Sequence, residues 1–201
     1  MHIPPALERF AHWKDRLVFP IVDRLPRSLH PNHLTVLRGL LIAPMILLLW
    51  SHHYAWGFTI FVVAAFTDFL DGALARRRHH ITNVGKILDP GTDRFLIYGV
   101  LFTFGWEALP HSILWTMFIL DLIHAILGLI VYLLQGKTHL PFPGPNIWGK
   151  TKNTLQLLGI LFLFAALTRP LLVFASLTLF AFAIICSILA MEHDILQRRT
   201  T

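Results

Sequence analysis

Six apolar runs divide the chain, beginning near Leu34, Tyr54, Gly85, Ser112, Gly149 and Pro170. About 20 residues of helix, rising 1.5 Å each, cover the ~30 Å hydrocarbon core of a bilayer, so each run is near the length of a membrane span. Helices are required because a backbone in lipid must satisfy its own hydrogen bonds. The pattern therefore predicts an all-α integral membrane protein with six transmembrane helices. Before the first run, Leu7, Phe10, Ala11, Trp13 and Leu17 alternate with charges. That segment, residues 1–30, predicts an amphipathic helix at the headgroup boundary, too charged to cross. It has no uninterrupted apolar core and small-residue cleavage site of the kind a secretory signal needs. Residues 31–194 then form the membrane domain and 195–201 a short tail.

Composition agrees. With 55% hydrophobic and 14% charged residues and a mean hydropathy of +0.62, the chain is too apolar for an ordinary soluble domain. The single cysteine, Cys186, lies in the last apolar run, which excludes a disulfide framework and predicts a packed thiol. Most basic residues, among them Arg24, Arg27, Arg76, Arg77, Arg78, Lys86, Lys137, Lys150, Lys152, Arg198 and Arg199, fall in alternate connections or tails, whereas the opposite connections hold only Arg169. Positive-inside bias places both termini and the connection from Arg77 to Val84 in the cytoplasm. The net charge of +6 follows from the same bias and suits anionic headgroups and phosphate substrates; nucleic acid is not implied.

The second and third runs are interrupted by acids. Apolar FTIFVVAAF precedes and FLIYGVLFTF follows a stretch reading DFLDGALARRRHHITNVGKILDPGTD, which carries Asp68, Asp71, Asp89 and Asp93. A carboxylate in a spanning segment costs a few kcal/mol or more unless it faces a polar cavity, a partner or a cation. Asp68 and Asp71 are three apart and Asp89 and Asp93 four apart, so each pair shares a helix face. Two such helices face to face make an acidic cluster opening toward the cytoplasm. Oxygen-only donors suit a hard divalent cation, Mg²⁺ first and Mn²⁺ second. Ion pairing with Arg76, Arg77, Arg78 and Arg94 is the competing account. It is disfavoured because those arginines lie toward helix ends and neighbouring carboxylates repel without an intervening cation.

The full spacing is D-x2-D-G-x2-A-R-x8-G-x3-D-x3-D, running through Asp68, Asp71, Gly72, Ala75, Arg76, Gly85, Asp89 and Asp93. Gly72 and Ala75 fall on the stripe of Asp68 and Asp71, leaving room for a ligand or a close backbone; by themselves they equally suit plain helix packing. The pattern resembles the signature of the CDP-alcohol phosphotransferases. The resemblance implies that Asp68, Asp71 and Asp89 are ligands of two metal ions and that Asp93 is both a ligand and the general base. It implies a CDP-linked lipid donor, CDP-diacylglycerol, with its cytidine phosphates near Gly72, Ala75, Arg76, Thr82 and Gly85, CMP as leaving group, and a homodimer.

Two further segments extend the likeness. Pro31-Asn32-His33-Leu34-Thr35-Val36-Leu37-Arg38 resembles the P-N-x-L-T-x-x-R entry of bacterial phosphatidyl transferases of the family, which implies that Asn32 and Thr35 border the nucleotide; read as residues alone, either equally caps a helix start. Gly149-Lys150-Thr151-Lys152 with Gln156 is similar to a G-K-x-K-x-x-x-Q stretch of the phosphatidylglycerophosphate-forming members. Lysines there hold a phosphate as point charges beside a helix N-terminus, or simply anchor the helix at the interface. Those members usually carry an Arg-Glu pair in the fourth helix. Here Asp121 and His124 stand on one face instead, either as a polar pair or as part of an acceptor pocket. Arg38, Arg94, Lys150 and Lys152 together favour a phosphorylated acceptor, glycerol 3-phosphate, ahead of inositol phosphate, inositol or serine. A cation transporter is the alternative of another class, but no acidic pair in the fifth and sixth runs matches that in the second and third, as an inverted repeat needs.

Overall fold

The computed structural model describes residues 19–20, 22–24, 26, 31–78, 83–135 and 147–199. All regular structure among them is helical: α1 (Pro31–Trp50), α2 (Tyr54–Arg78), α3 (Asn83–Thr103), α4 (Gly105–Ala108), α5 (His111–Gln135), α6 (Ile147–Ala165) and α7 (Leu172–Arg199). The six long helices coincide with the six apolar runs. Four of them hold a window long and apolar enough to cross a membrane: His33–Trp50, Tyr54–Leu74, His111–Gly128 and Leu172–His193. Helices α3 and α6 fall short of that measure. The reason is in their composition, since α3 carries Lys86, Asp89, Asp93 and Arg94 and α6 carries Lys150, Lys152 and Gln156. The chain is thus an all-α membrane protein with four spans recognisable by length and apolarity. The expected amphipathic helix of residues 1–30 lies almost wholly outside the described residues.

The fold divides into two units, at Gly99 and Val100. In the first, α1 and α2 form a helical hairpin through Ser51–His53. The turn closes with His53 N–H donating to Leu48 O at 2.8 Å and His52 N–H to Leu49 O at 3.1 Å, with His52 at φ 58°. These are the paired bonds of a Schellman cap, with histidine where glycine is usual. Gly57 then lets the start of α2 close on the end of α1. A Cβ there would stand 2.4 Å from Leu49 Cδ2. At the other end of the hairpin, Val22, Leu34, Ala73 and Leu74 form a buried cluster against which Leu70 packs. Arg77 reaches Asp23 at 3.2 Å and lies over the Phe19 ring, so the residues preceding α1 are tied to the end of α2. On α3, Gly99 lies close to Met45 and Ile46, which brings α3 onto α1.

The second unit is built on α5, α6 and α7, with α7 against both of the others. Phe180, fully buried, fits over Gly159, and Ser176 Oγ donates to the Gly159 carbonyl at 2.9 Å. Rings gather where α4 leads into α5: Trp106 stacks on His111 at 4.1 Å, and Phe102 contacts both Trp115 and Phe118 at 5.4 Å. Leu40, Leu47, Trp50, Trp56, Trp115, Ile126, Leu171 and Phe174 are all exposed. So much apolar surface suits acyl chains as its solvent.

Candidate active site

Within the first unit, three helices deliver charge to one point. The register of α2 sets Asp68 and Asp71 about one turn apart on a single face. Helix α3 presents Asp93, preceded by Thr92, and α1 presents Arg38. The guanidinium joins them. Arg38 Nη1 bonds Asp68 Oδ1 and lies 3.1 Å from Asp93 Oδ1 and 3.7 Å from Asp71 Oδ2. Its Nη2 donates to Thr92 Oγ1 at 2.8 Å, while Thr35 Oγ1 donates to Asp71 Oδ2 at 3.4 Å.

Burial is graded across the group. Arg38 is fully buried and the Asp71 side chain 7% exposed, whereas those of Asp68 and Asp93 are 44% and 33% exposed. The cluster therefore has a sealed inner end and an accessible outer end. Three carboxylates against one guanidinium leave these four groups with a formal charge of −2. Burying net charge is costly, and an excess of carboxylates at an accessible end suits a cation. Oxygen donors and a deficit of two suit a divalent cation. As they stand, no three His, Cys, Asp or Glu residues among those described form a ready-made metal cage; the guanidinium nitrogen holds the point where the carboxylates converge.

The other expected site residues are distributed as follows. Asn32 is in the first turn of α1, Gly72 is half-buried on α2, and Ala75 and Arg76 follow it toward the end of that helix. Gly85 and Asp89 lie on the first turns of α3. The side chains of Asn32, Ala75, Arg76 and Asp89, and the whole of Thr82, lie outside the described residues. Arg94 is half-buried on α3. Thr92 was not foreseen; its only signal in the sequence is a hydroxyl inside a membrane helix, which usually finds a partner across a helix interface.

In the second unit, the expected acceptor residues divide. Lys150 is exposed at the start of α6. Lys152, two residues on, is buried, and its ammonium donates to Asp121 Oδ1 at 2.7 Å. Gln156 Nε2 donates to Asp121 Oδ2 at 3.3 Å, and Ser187 Oγ reaches Oδ1 at 3.5 Å. Asp121 thus ties α5 to α6 and α7, and Lys152 is neutralised where the sequence suggested a bare cation. His124, a turn after Asp121, is half-buried.

Comparison with known proteins places the chain in a family. The model of the CDP-alcohol phosphatidyltransferase family matches residues 28–190, a range that contains both polar clusters. Over 171 residues the chain is 30% identical to a CDP-diacylglycerol–glycerol-3-phosphate 3-phosphatidyltransferase of Mycoplasma genitalium, covering 81% of this chain and 70% of that protein. It is 34% identical over 170 residues to the protein of the same name in Pseudomonas fluorescens, covering 77% and 80%. A cardiolipin synthase (CMP-forming) of Streptomyces coelicolor is 35% identical over 96 residues, covering 47% and 43%. This kinship sets aside the transport reading and makes the chain a phosphatidyltransferase. By motif, by helical architecture and by the extent of the match, the chain belongs to the CDP-alcohol phosphatidyltransferase family.

Proposed function

We propose that this protein transfers the phosphatidyl group of CDP-diacylglycerol to glycerol 3-phosphate, releasing CMP, with Asp68, Asp71, Asp89 and Asp93 holding two Mg²⁺ or Mn²⁺ ions. The observation that carries the reading is the convergence of Asp68, Asp71 and Asp93 on one cationic centre at the accessible end of apolar helices. The relatives named for glycerol 3-phosphate favour that acceptor. Held by these acids, divalent ions would supply the positive charge that a diphosphate donor needs at its leaving group.

The protein's own residues do the rest. The acceptor hydroxyl forms the new P–O bond to the lipid-linked phosphorus while the bond from that phosphorus to the CMP oxygen breaks, and CMP leaves with the electron pair. The hydroxyl proton passes to a carboxylate oxygen. Asp93 suits that task because it is partly accessible, whereas Asp71 is sealed beneath Thr35 and Arg38 and suits a ligand role. Asn32, Thr35, Gly72, Ala75, Arg76, Thr82 and Gly85 are assigned to the CDP end of the donor. Within the first unit Arg94 is the cation assigned to the acceptor phosphate; in the second, Lys152 is engaged by Asp121 and Lys150 is left exposed.

The topology completing this reading has six spans, α1, α2, α3, α5, α6 and α7, with both termini and the acidic site on the cytoplasmic side, residues 1–30 lying in the interface, and a homodimer as the working unit. In α3 and α6 the charged residues lie toward the cytoplasmic ends, where lysine and arginine snorkel and acids meet water.

Purified protein with CDP-diacylglycerol and Mg²⁺ tests the assignment against a panel of glycerol 3-phosphate, inositol phosphate, inositol, serine and phosphatidylglycerol. The expected result is CMP release and phosphatidylglycerophosphate with the first alone, abolished by EDTA and restored by Mg²⁺. Asp93→Asn is expected to lower turnover by about a thousandfold or more while leaving the fold intact. Turnover with a neutral acceptor alone would overturn the phosphate assignment, and activity persisting in EDTA would overturn the metal.

A further inference from the structure

Arg38 stands out among the site residues because it engages the carboxylates of three of the four acids assigned to the metals. Its guanidinium is fully buried, and arginine does not deprotonate in proteins, so it stays a cation. Nη1 contacts Asp68 and lies within 4 Å of Asp71 and Asp93. A carboxylate oxygen that accepts from a guanidinium has a lone pair committed, and a fixed positive charge within 4 Å repels an arriving divalent ion. Arginine and metal therefore contest the same oxygens. The second nitrogen is anchored differently, on the hydroxyl of Thr92, which is not a carboxylate and carries no charge to share. If Nη1 lets go of the acids, Nη2 still holds the guanidinium to α3 next to Asp93.

We infer that Arg38 is an internal counter-cation that competes with divalent metal for Asp68, Asp71 and Asp93, with Thr92 as the contact that retains the guanidinium when metal enters. The inference rests on the metal assignment made above. It has two consequences. The first is that the acids are partly compensated without metal, so the helices α1, α2 and α3 assemble in the bilayer before metal binds. The second is that metal affinity is lower than four carboxylates alone would confer, because each binding event must displace a buried charge.

Mn²⁺ binding to the full-length protein in detergent, read from the loss of the free-ion electron paramagnetic resonance signal, tests this independently of turnover. Arg38→Gln is expected to bind Mn²⁺ more tightly, on the order of tenfold, and to melt lower in the absence of metal, with a larger rise on adding Mn²⁺. Arg38→Lys keeps a charge for assembly but cannot span three carboxylates, and is expected to tighten binding by a smaller factor. Asp71→Asn is the control that weakens binding. If the Arg38 variants that fold bind Mn²⁺ no tighter than the parent while Asp71→Asn still weakens it, competition is wrong and the metal site stands. If neither the parent nor any folded Arg38 variant binds Mn²⁺, the metal assignment and the competition fall together.

Discussion

Arg38 and Lys152 are both cations buried in apolar helices, at 0% and 5% exposed, yet their surroundings differ in charge balance. Lys152 faces one carboxylate, and the remaining lone pairs of Asp121 are met by Gln156 and Ser187. Those contacts tie three helices together, with one cation to one carboxylate. Arg38 faces three carboxylates, two of them on partly exposed side chains. The contrast predicts unlike responses to mutation. Asp121→Asn leaves a buried ammonium without its counter-charge and is expected to cost about 3–5 kcal/mol. Adding Lys152→Met should recover most of that loss, because removing both partners of a buried pair is far milder than removing one. Thermal unfolding in detergent checks this, and an Asp121→Asn protein as stable as the parent would show that the pair ties nothing. The four acids were legible from sequence because each violates the apolar pattern around it. Thr92 and the pairing of Lys152 were not, since hydroxyls are common in membrane helices and a lysine near a helix start reads first as an interfacial anchor.

At the scale of elements, close approach between helices depends on single glycines. A Cβ at Gly159 would stand 2.6 Å from a ring carbon of Phe180, and that ring is fully buried with nowhere to retreat. Gly159→Ala is expected to destabilise by about 1–3 kcal/mol through overpacking between α6 and α7. Gly128→Ala is the matched control: nothing lies within 4 Å of that Cβ, so helix propensity alone predicts a neutral or slightly stabilising change. Equal melting temperatures for the two variants would remove the packing account. Helix positions were readable from the six apolar runs. The partner of each helix was not, because an apolar residue facing lipid and one facing another helix look alike in a sequence that is apolar on every side.

At the scale of the whole molecule, exposed tryptophans flank the α1–α2 turn at Trp50 and Trp56 and the α4–α5 connection at Trp106 and Trp115. Amphipathic rings at such turns mark the headgroup level. On the proposed topology both connections face away from the cytoplasm, as does Arg169 between α6 and α7. Single cysteines placed at His53 or Arg169, in a protein whose buried Cys186 is replaced by Ser, are therefore expected to react with a membrane-impermeant maleimide added to intact cells. Cysteines at Arg77 or Lys150 are expected to react only after permeabilisation. Labelling of Lys150→Cys from outside would reverse the position of α6 in the proposed topology.

The apolar pattern alone was enough to show that the chain lives in a membrane and where its helices lie, and to mark Asp68, Asp71, Asp89 and Asp93 as the residues most in need of an explanation. Each of those conclusions rests on a cost that holds whatever the neighbours are: apolar side chains in water, unpaired backbone in lipid, charge in hydrocarbon. Only the tertiary structure decided which cations meet which acids. It set Arg38 among Asp68, Asp71 and Asp93 and Lys152 against Asp121, where the sequence had grouped both cations around an acceptor phosphate. Pairing is a matter of distance and burial between residues 30 or more positions apart, and electrostatic energy falls off over a few ångströms in ways that spacing along a chain does not record.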